Sequence, residues 1–301
     1  MILSGALAVL AATLNALGDL LQRRSMRADP GPRDRPVGLV AQLVRRPGWL
    51  AGLGASVIGL GVHVGALSTG TIVAVQPLLV LEFPLAVIGT SLLFRVRPSP
   101  RDWVAIAVMT AGLGGVLACL APHEGDPTAV PGATWAVGLG GLGVLMGVLA
   151  TGGALSRGNR RATLLGIAAG VGYGMTAALL SAAGTTARHG LAAPLGTWQL
   201  YGALVVGVTS FVLLQSSLNA GLLLATEPGL TLANPLVAVA WGVLVFDEHV
   251  RSGPWLVGAV AGALALGAGT VLLSRSPVLE ASQRQEHGRE GAATPTRAGA
   301  P

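Results

Sequence analysis

Nine apolar stretches constrain this chain more than anything else in it. They run from Ile2 to Leu21, Trp49 to Ser68, Gly70 to Phe94, Trp103 to Ala121, Trp135 to Gly153, Ala162 to Ala183, Trp198 to Leu218, Gly221 to Phe246 and Trp255 to Leu273. At about 1.5 Å rise per residue, a helix of this length crosses a hydrocarbon core of roughly 30 Å. Only a segment that bonds its own backbone is tolerated there, so the spans are helices and the class is all-α, a polytopic membrane protein. A mean hydropathy of +0.68 with 11% charged residues excludes a water-soluble globular chain. The first span has no basic segment before it and is followed by Gln22, Arg23 and Arg24 rather than a small-residue cleavage site, so it is expected to stay as a helix.

The basic residues fix an orientation. All 19 are arginine, and with nine crossings 17 of them fall on one face while Arg188 and Arg251 alone fall on the other. Basic residues stay on the cytoplasmic side, so the amino terminus is expected outside, the carboxyl terminus inside, and the membrane is the plasma membrane. The pI near 11.1 then reflects topology and contact with anionic lipid headgroups rather than nucleic acid. Arg27 to Pro36 reads as a loose connection, Val37 to Val44 as a short interfacial amphipathic helix and residues 274–301 as a disordered cytoplasmic tail. A single cysteine, Cys119, excludes an internal disulfide.

The two halves match. Gln76-Pro77 through Leu81-Glu82-Phe83-Pro84 aligns with Glu227-Pro228 through Leu232-Ala233-Asn234-Pro235, and Phe94 and Trp103 align with Phe246 and Trp255. One repeat is therefore residues 1–121 and the other 162–273, with a bridging helix over 134–153. Four spans plus one is odd, so the second repeat enters from the opposite face, and parallel sequence becomes inverted topology. Inverted repeats are a plan of secondary transporters, with the substrate site near the midplane between them. Glycine pairs at helical spacing, Gly166/Gly170/Gly174, Gly61/Gly65, Gly143/Gly147 and Gly258/Gly262, predict closely packed helices and offer faces for a homodimer.

Leu20-Leu21-Gln22-Arg23-Arg24, Thr71-Ile72-Val73 leading to Pro77, Pro98 to Trp103 and Gly112-Leu113-Gly114, in this order of spans, resemble the NIPA-type magnesium transporters. These are a nine-span branch of the drug/metabolite transporter superfamily, akin to its EamA-like members. The resemblance covers residues 2–273 and implies alternating-access transport of a small polar solute or metabolite, or of a divalent cation. One departure bears on the cation: the second span carries Gly61-Val62-His63-Val64-Gly65 where the family's acidic residue would stand, and a lone imidazole suits Mg²⁺ poorly.

Few ionisable groups lie within spans. A carboxylate at the centre of a helix is disfavoured by roughly 2.5 to 3.5 kcal/mol, so those present face protein or a water-filled cavity. Glu227, Thr231 and Asn234 share one face of the eighth span and read as cavity lining; Glu82 lies mid-membrane in the third, where Gln76 is the repeat mate of Glu227. Asn15 and Asp19 share a face of the first span, with Asp19 placed to pair with Arg23, and His63 reads as a helix-to-helix hydrogen bonder or proton acceptor. Asp102 belongs to a capping box over Ser99-Pro100-Arg101-Asp102, whereas Asp247 and Glu248 read as a solvated turn.

Other chemistry finds little support. Gly138 to Gly143 satisfies GxGxxG inside an apolar span with no strand before it, and no HExxH, GxSxG or P-loop occurs. No enzyme and no cofactor is expected. A non-transporting membrane subunit or lipid-binding scaffold is the alternative from another class.

Overall fold

The computed structural model describes residues 2–27, 46–94, 96–123, 125–190, 192–220 and 223–278. These residues form α1 (Ile2–Arg27), α2 (Pro47–Thr69), α3 (Ile72–Leu79), α4 (Glu82–Phe94), α5 (Pro100–Leu120), α6 (Gly132–Ala154), α7 (Gly158–Thr185), α8 (Trp198–Ala220), α9 (Leu223–Leu244) and α10 (Pro254–Ser274). Two 3-10 turns, Thr186–His189 and Ala193–Gly196, link α7 to α8. Among the described residues there is no strand, and a single antiparallel bridge joins His123 to His249. Eight helical stretches are long and apolar enough to cross a membrane, α3 and α4 together making one of them; the corresponding stretch of α9 is shorter, Gly229–Leu244, among the described residues. The chain is a multi-pass helical membrane protein.

Local sequence explains where the helices begin. Pro47, Pro100 and Pro254 occupy first helical positions, where a missing N–H leaves no bond unmade. The capping box at α5 forms as read: Ser99 N donates to Asp102 Oδ2 at 2.7 Å and Asp102 N to Ser99 Oγ at 3.3 Å. The third span is not one helix. Pro84 has no N–H to give the carbonyl of Val80, and that carbonyl instead takes the N–H of Phe83, three residues on, at 3.1 Å. A tight turn at Val80 and Leu81 therefore separates α3 from α4.

Small residues set the helix pairing and its direction. Gly18 of α1 packs on Gly52 and Ser56 of α2, and Asn15 packs on Gly59, an antiparallel pair. Gly172 of α7 meets Ser210 of α8 and Thr176 meets Gly207, again antiparallel, and Ser217 Oγ donates to the carbonyl of Ala162 at 2.6 Å. Parallel contacts join α1 to the α3–α4 span, through Asn15 with Glu82 and Leu20 with Gly89, and α7 to α9, through Ile167 with Gly229, Gly170 with Ala233 and Gly174 with Val237. The α5–α10 contact is antiparallel and reciprocal: a Cβ on Gly112 would lie 2.6 Å from the carbonyl oxygen of Gly262, and one on Gly262 would lie 2.8 Å from that of Gly112. Side chains at these positions would push the backbones apart. Gly61, Gly143 and Gly147 have nothing within 4 Å, so these three positions face away from the bundle.

The bundle is inside-out in composition, as lipid as solvent allows: Val137, Leu244 and Val205 are exposed at its periphery. Its interior holds small residues of α7 and an aromatic group in which Trp135 lies 5.3 Å from Trp198, 5.3 Å from Trp241 and 5.8 Å from Phe246, between ring centroids. Packing extends past Leu273, because Ser276 and Val278 are buried, so the ordered chain reaches into the segment read as tail. The interfacial helix over 37–44, the loose connection before it and residues 279–301 lie outside the described residues.

Candidate functional site

Two polar pairs meet the α3–α4 span. Asn15 Nδ2 donates to Glu82 Oε2 at 3.1 Å, joining α1 to the first turn of α4. Gln76 Nε2 lies 3.0 Å from His63 Nε2, joining α2 to α3. The imidazole nitrogen acts there as acceptor from the amide, because an amide nitrogen can only donate. Gln76 is buried, and its Oε1 is left without a partner. Glu82 and Gln76 thus flank the Val80–Leu81 break on either side, one held from α1 and the other from α2.

The stripe expected on the eighth span behaves differently. Thr231 and Asn234 are half-buried on α9, and Asn234 Oδ1 is buried without a partner beside the glycines of α7. Neither residue is among those lining the cavities of about 510 and 850 Å³. The side chain of Glu227 lies outside the described residues. Asp19 is exposed, and the side chain of its expected partner Arg23 lies outside the described residues. Among the described residues no three His, Cys, Asp or Glu side chains gather in a way that could hold a metal ion.

Glu248 is where the sequence reading fails. It is 4% exposed rather than solvated, and its carboxylate accepts from the backbone N–H groups of Ile72 at 2.7 Å and Val73 at 2.9 Å. Thr71, at the N-cap position of α3, makes no side-chain cap bond, so a residue 176 positions further along the chain supplies the acceptor. Gly242 and Gly125 make room for it: a Cβ on Gly242 would lie 2.7 Å from Glu248 Oε2, and one on Gly125, at φ +104°, would lie 2.5 Å from Glu248 Cγ. Burial pushes the Glu248 carboxyl up to about 7 against the opposing pull of the two N–H donors. A Gly at 242 was the signal available in the sequence, but nothing local ties it to Glu248. Asp247 is exposed as read, at φ 54°.

Two cavities border these groups. One, of about 510 Å³, lies at the arginine-poor end of the bundle and is lined by Ser68, Thr71, His123, Asp126, Thr128, Arg188, His189 and Glu248 among others. The Thr128 hydroxyl and N–H hold the Asp126 carboxyl below its ordinary range. The two arginines of this end are both engaged with helix carbonyls: Arg188 Nη2 donates to Ser68 O at 2.7 Å, and Arg251 donates through its backbone to Leu120 O at 2.9 Å while stacking on Trp255. The Arg188 guanidinium caps the C-terminal end of α2, and the backbone N–H of Arg251 caps that of α5. The other cavity, of about 850 Å³, is a crevice among α3, α5, α9 and α10, floored by Pro77, Pro235 and Leu266, apolar except for Arg275 at one end.

Comparison with known proteins adds one relative. The chain is 27% identical over 292 residues to an uncharacterized protein of Corynebacterium glutamicum, covering 94% of this chain and 99% of that one. No protein-family model matches the chain. No solved structure matches it.

Proposed function

We propose that the chain is a secondary-active transporter of the drug/metabolite superfamily type, moving a small polar solute or metabolite by alternating access. In this reading nine spans form two inverted repeats, residues 1–121 and 162–273, bridged by α6, with the amino terminus outside the plasma membrane and the carboxyl terminus in the cytoplasm. One observation carries it. Every main helix pairing within the first repeat has a counterpart of the same direction in the second: α1 with α2 and α7 with α8 antiparallel, α1 with α3–α4 and α7 with α9 parallel. The two largest contacts between the repeats, α5 with α10 and α3 with α9, join mates, as a two-fold axis requires, whereas the packing of α2 on α7 has no counterpart of similar extent between α8 and α1. A static scaffold or an anchor has no physical need of that arrangement.

The broken third span packs against its repeat mate α9, with Gln76 and Glu82 at its break. Discontinuous helices in transporters free backbone groups near the midplane for a polar substrate. Solute flux into proteoliposomes tests the reading, with Glu82→Gln and Glu227→Gln as variants that keep shape and remove charge. Loss of pH-dependent flux in either variant, with the fold intact, supports a coupling carboxyl. Wild-type flux and pH profile in both place coupling elsewhere, and an absence of flux for any solute returns the choice to the scaffold.

The apolar crevice favours a second reading, in which the solute is amphipathic, enters from the bilayer between α9 and α10 and meets Arg275 with a polar end. A divalent cation as cargo is distinguished by stabilisation with Mg²⁺, since a ligand bound to the folded form raises its melting temperature.

A further inference from the structure

Two histidines face each other across the antiparallel bridge at the arginine-poor end. His123, on the connection after α5, and His249, on the turn after α9, exchange both backbone bonds: His123 N donates to His249 O at 3.1 Å and His249 N to His123 O at 3.0 Å. Directly opposed residues of such a pair send their side chains to the same side, with Cβ atoms about 4.5–5.5 Å apart. Both residues are exposed, and their ring centroids lie 5.9 Å apart. Zn–N bonds of about 2.0–2.1 Å, with each ring centre roughly 1.1 Å behind its nitrogen, put two imidazoles on one ion at centroids roughly 5 to 6.5 Å apart. The observed spacing falls inside that range.

The backbone also sets the tautomer of one ring. His123 Nδ1 lies 3.1 Å from the carbonyl oxygen of Ala121, and a carbonyl only accepts, so Nδ1 carries the proton and Nε2 keeps its lone pair. A backbone carbonyl on the far nitrogen is a usual orienting partner of a metal-bound histidine. Ala121 is the left-handed cap of α5, at φ 36°, so the end of that helix fixes the orienting carbonyl. On the other side, Glu248 anchors the turn that carries His249 to the start of α3.

We propose that His123 and His249 form a binding site for one divalent transition ion of the Zn²⁺ class, with His123 Nε2 and an imidazole nitrogen of His249 as ligands and water completing the shell. Imidazole suits Zn²⁺, Cu²⁺ and Ni²⁺, whereas Mg²⁺ and Ca²⁺ take oxygen donors, so the site discriminates by ligand type. No set of three His, Cys, Asp or Glu side chains able to hold a metal forms among the described residues, so the site keeps open positions and its ion is exchangeable. The bound ion ties the connection after α5 to the turn between α9 and α10. His123 lines the cavity of about 510 Å³, which gives the ion a wetted approach. The site does not rest on the transporter reading, and its ion is distinct from a Mg²⁺ cargo.

The test is Zn²⁺ binding to the full chain, untagged and stripped with chelator, in phosphatidylcholine nanodiscs, measured by competition against a colorimetric chelator. One saturable Zn²⁺ per chain is expected, and a large excess of Mg²⁺ should not displace it. Removing a partner of a ligand weakens metal sites by 10–100-fold, so removing a ligand itself, in His123→Ala or His249→Ala, should weaken binding by at least about ten-fold. His189→Ala and His287→Ala should bind as the wild type does. In the wild type, Zn²⁺ should shield His123 and His249 together from diethyl pyrocarbonate and leave His189 as reactive as before, a readout that needs no variant. Absence of saturable binding overturns the proposal. So does binding that survives either ligand variant, or shielding of one of the two rings alone. Loss of binding in His189→Ala or His287→Ala moves the ion to that residue, and displacement by Mg²⁺ makes the ligands oxygen; either result overturns it. Solute flux is a separate readout, so failure of the metal site leaves the transporter reading standing.

Discussion

The third span and α9 carry the same proline spacing, Pro77 and Pro84 against Pro228 and Pro235, yet one is broken and the other runs unbroken from Leu223 to Leu244. The prolines alone do not decide. What differs is the neighbours. The third span is held by polar side chains from two different helices, Asn15 on Glu82 and His63 on Gln76, and by Glu248 at its start. The corresponding face of α9 lies backbone to backbone on the glycines of α7, where a Cβ on Gly170 would meet Ala233 Cβ at 2.8 Å and the carbonyl oxygen of Leu230 at 2.9 Å. A long close contact keeps a helix straight; separate polar anchors let its two halves take their own directions.

The largest effect in this comparison is expected on the α9 side. Gly174→Val would place its Cβ 2.7 Å from Val237 Cβ and 2.9 Å from the carbonyl oxygen of Asn234. Since backbone as well as side chain must yield, a loss at the upper end of about 1–3 kcal/mol is expected in thermal or denaturant unfolding. Gly143→Val, with nothing within 4 Å, should by contrast change the melting temperature little. Equal effects at the two sites would dissolve the claim that α7 and α9 depend on close approach.

On the α3–α4 side, a double-mutant cycle of Asn15→Ala and Glu82→Ala should give a coupling of about 0.6 to 1.7 kcal/mol, the range for hydrogen bonds between membrane helices. A similar cycle on His63 and Gln76 should fall near the lower figure, because Gln76 Oε1 already lacks a partner and the pair is neutral. Additive losses in both cycles would mean that the anchors do not hold the break.

Glu248 gives the next test. A carboxyl whose folded value is raised stabilises fully below its ordinary 4.5 and loses that contribution as pH rises through about 7. Wild-type melting temperature should therefore fall across that window by more than that of Glu248→Gln. A parallel fall in both would move the pH dependence to another group.

The smallest effect concerns the break itself. Pro84→Ala restores an N–H facing the carbonyl of Val80, which now accepts from Phe83, and should increase helix content by a residue or two with little change in stability. If the transporter reading holds, flux should fall more than stability does. Pro235→Ala, inside a helix already continuous, should change neither.

Much of this was readable in advance. Most of the spans, the capping box at Ser99 and the hydrogen bonding of His63 follow from local pattern and from the scarcity of polar residues in lipid. The break at Val80 was hidden because identical proline spacing in α9 leaves that helix whole. Glu248 was hidden for a different reason. Its neighbour Asp247 does sit in an exposed turn, and the offset pairing Phe94 with Phe246 pairs Glu248 with Val96, so neither the local setting nor the repeat marks it.

The sequence by itself determined that this chain lives in a bilayer as a helical bundle, because only self-bonded helices of about this length and hydropathy are stable there. It also determined which helices could approach closely, through the placement of glycine. Tertiary structure alone decided which glycines are used, where the third span breaks, and that a glutamate after α9 caps a helix 176 residues earlier in the chain. Those outcomes depend on contacts between segments far apart in the chain, where the free energy of a hydrogen bond or a close approach is set by what the fold brings opposite it and not by the residues on either side.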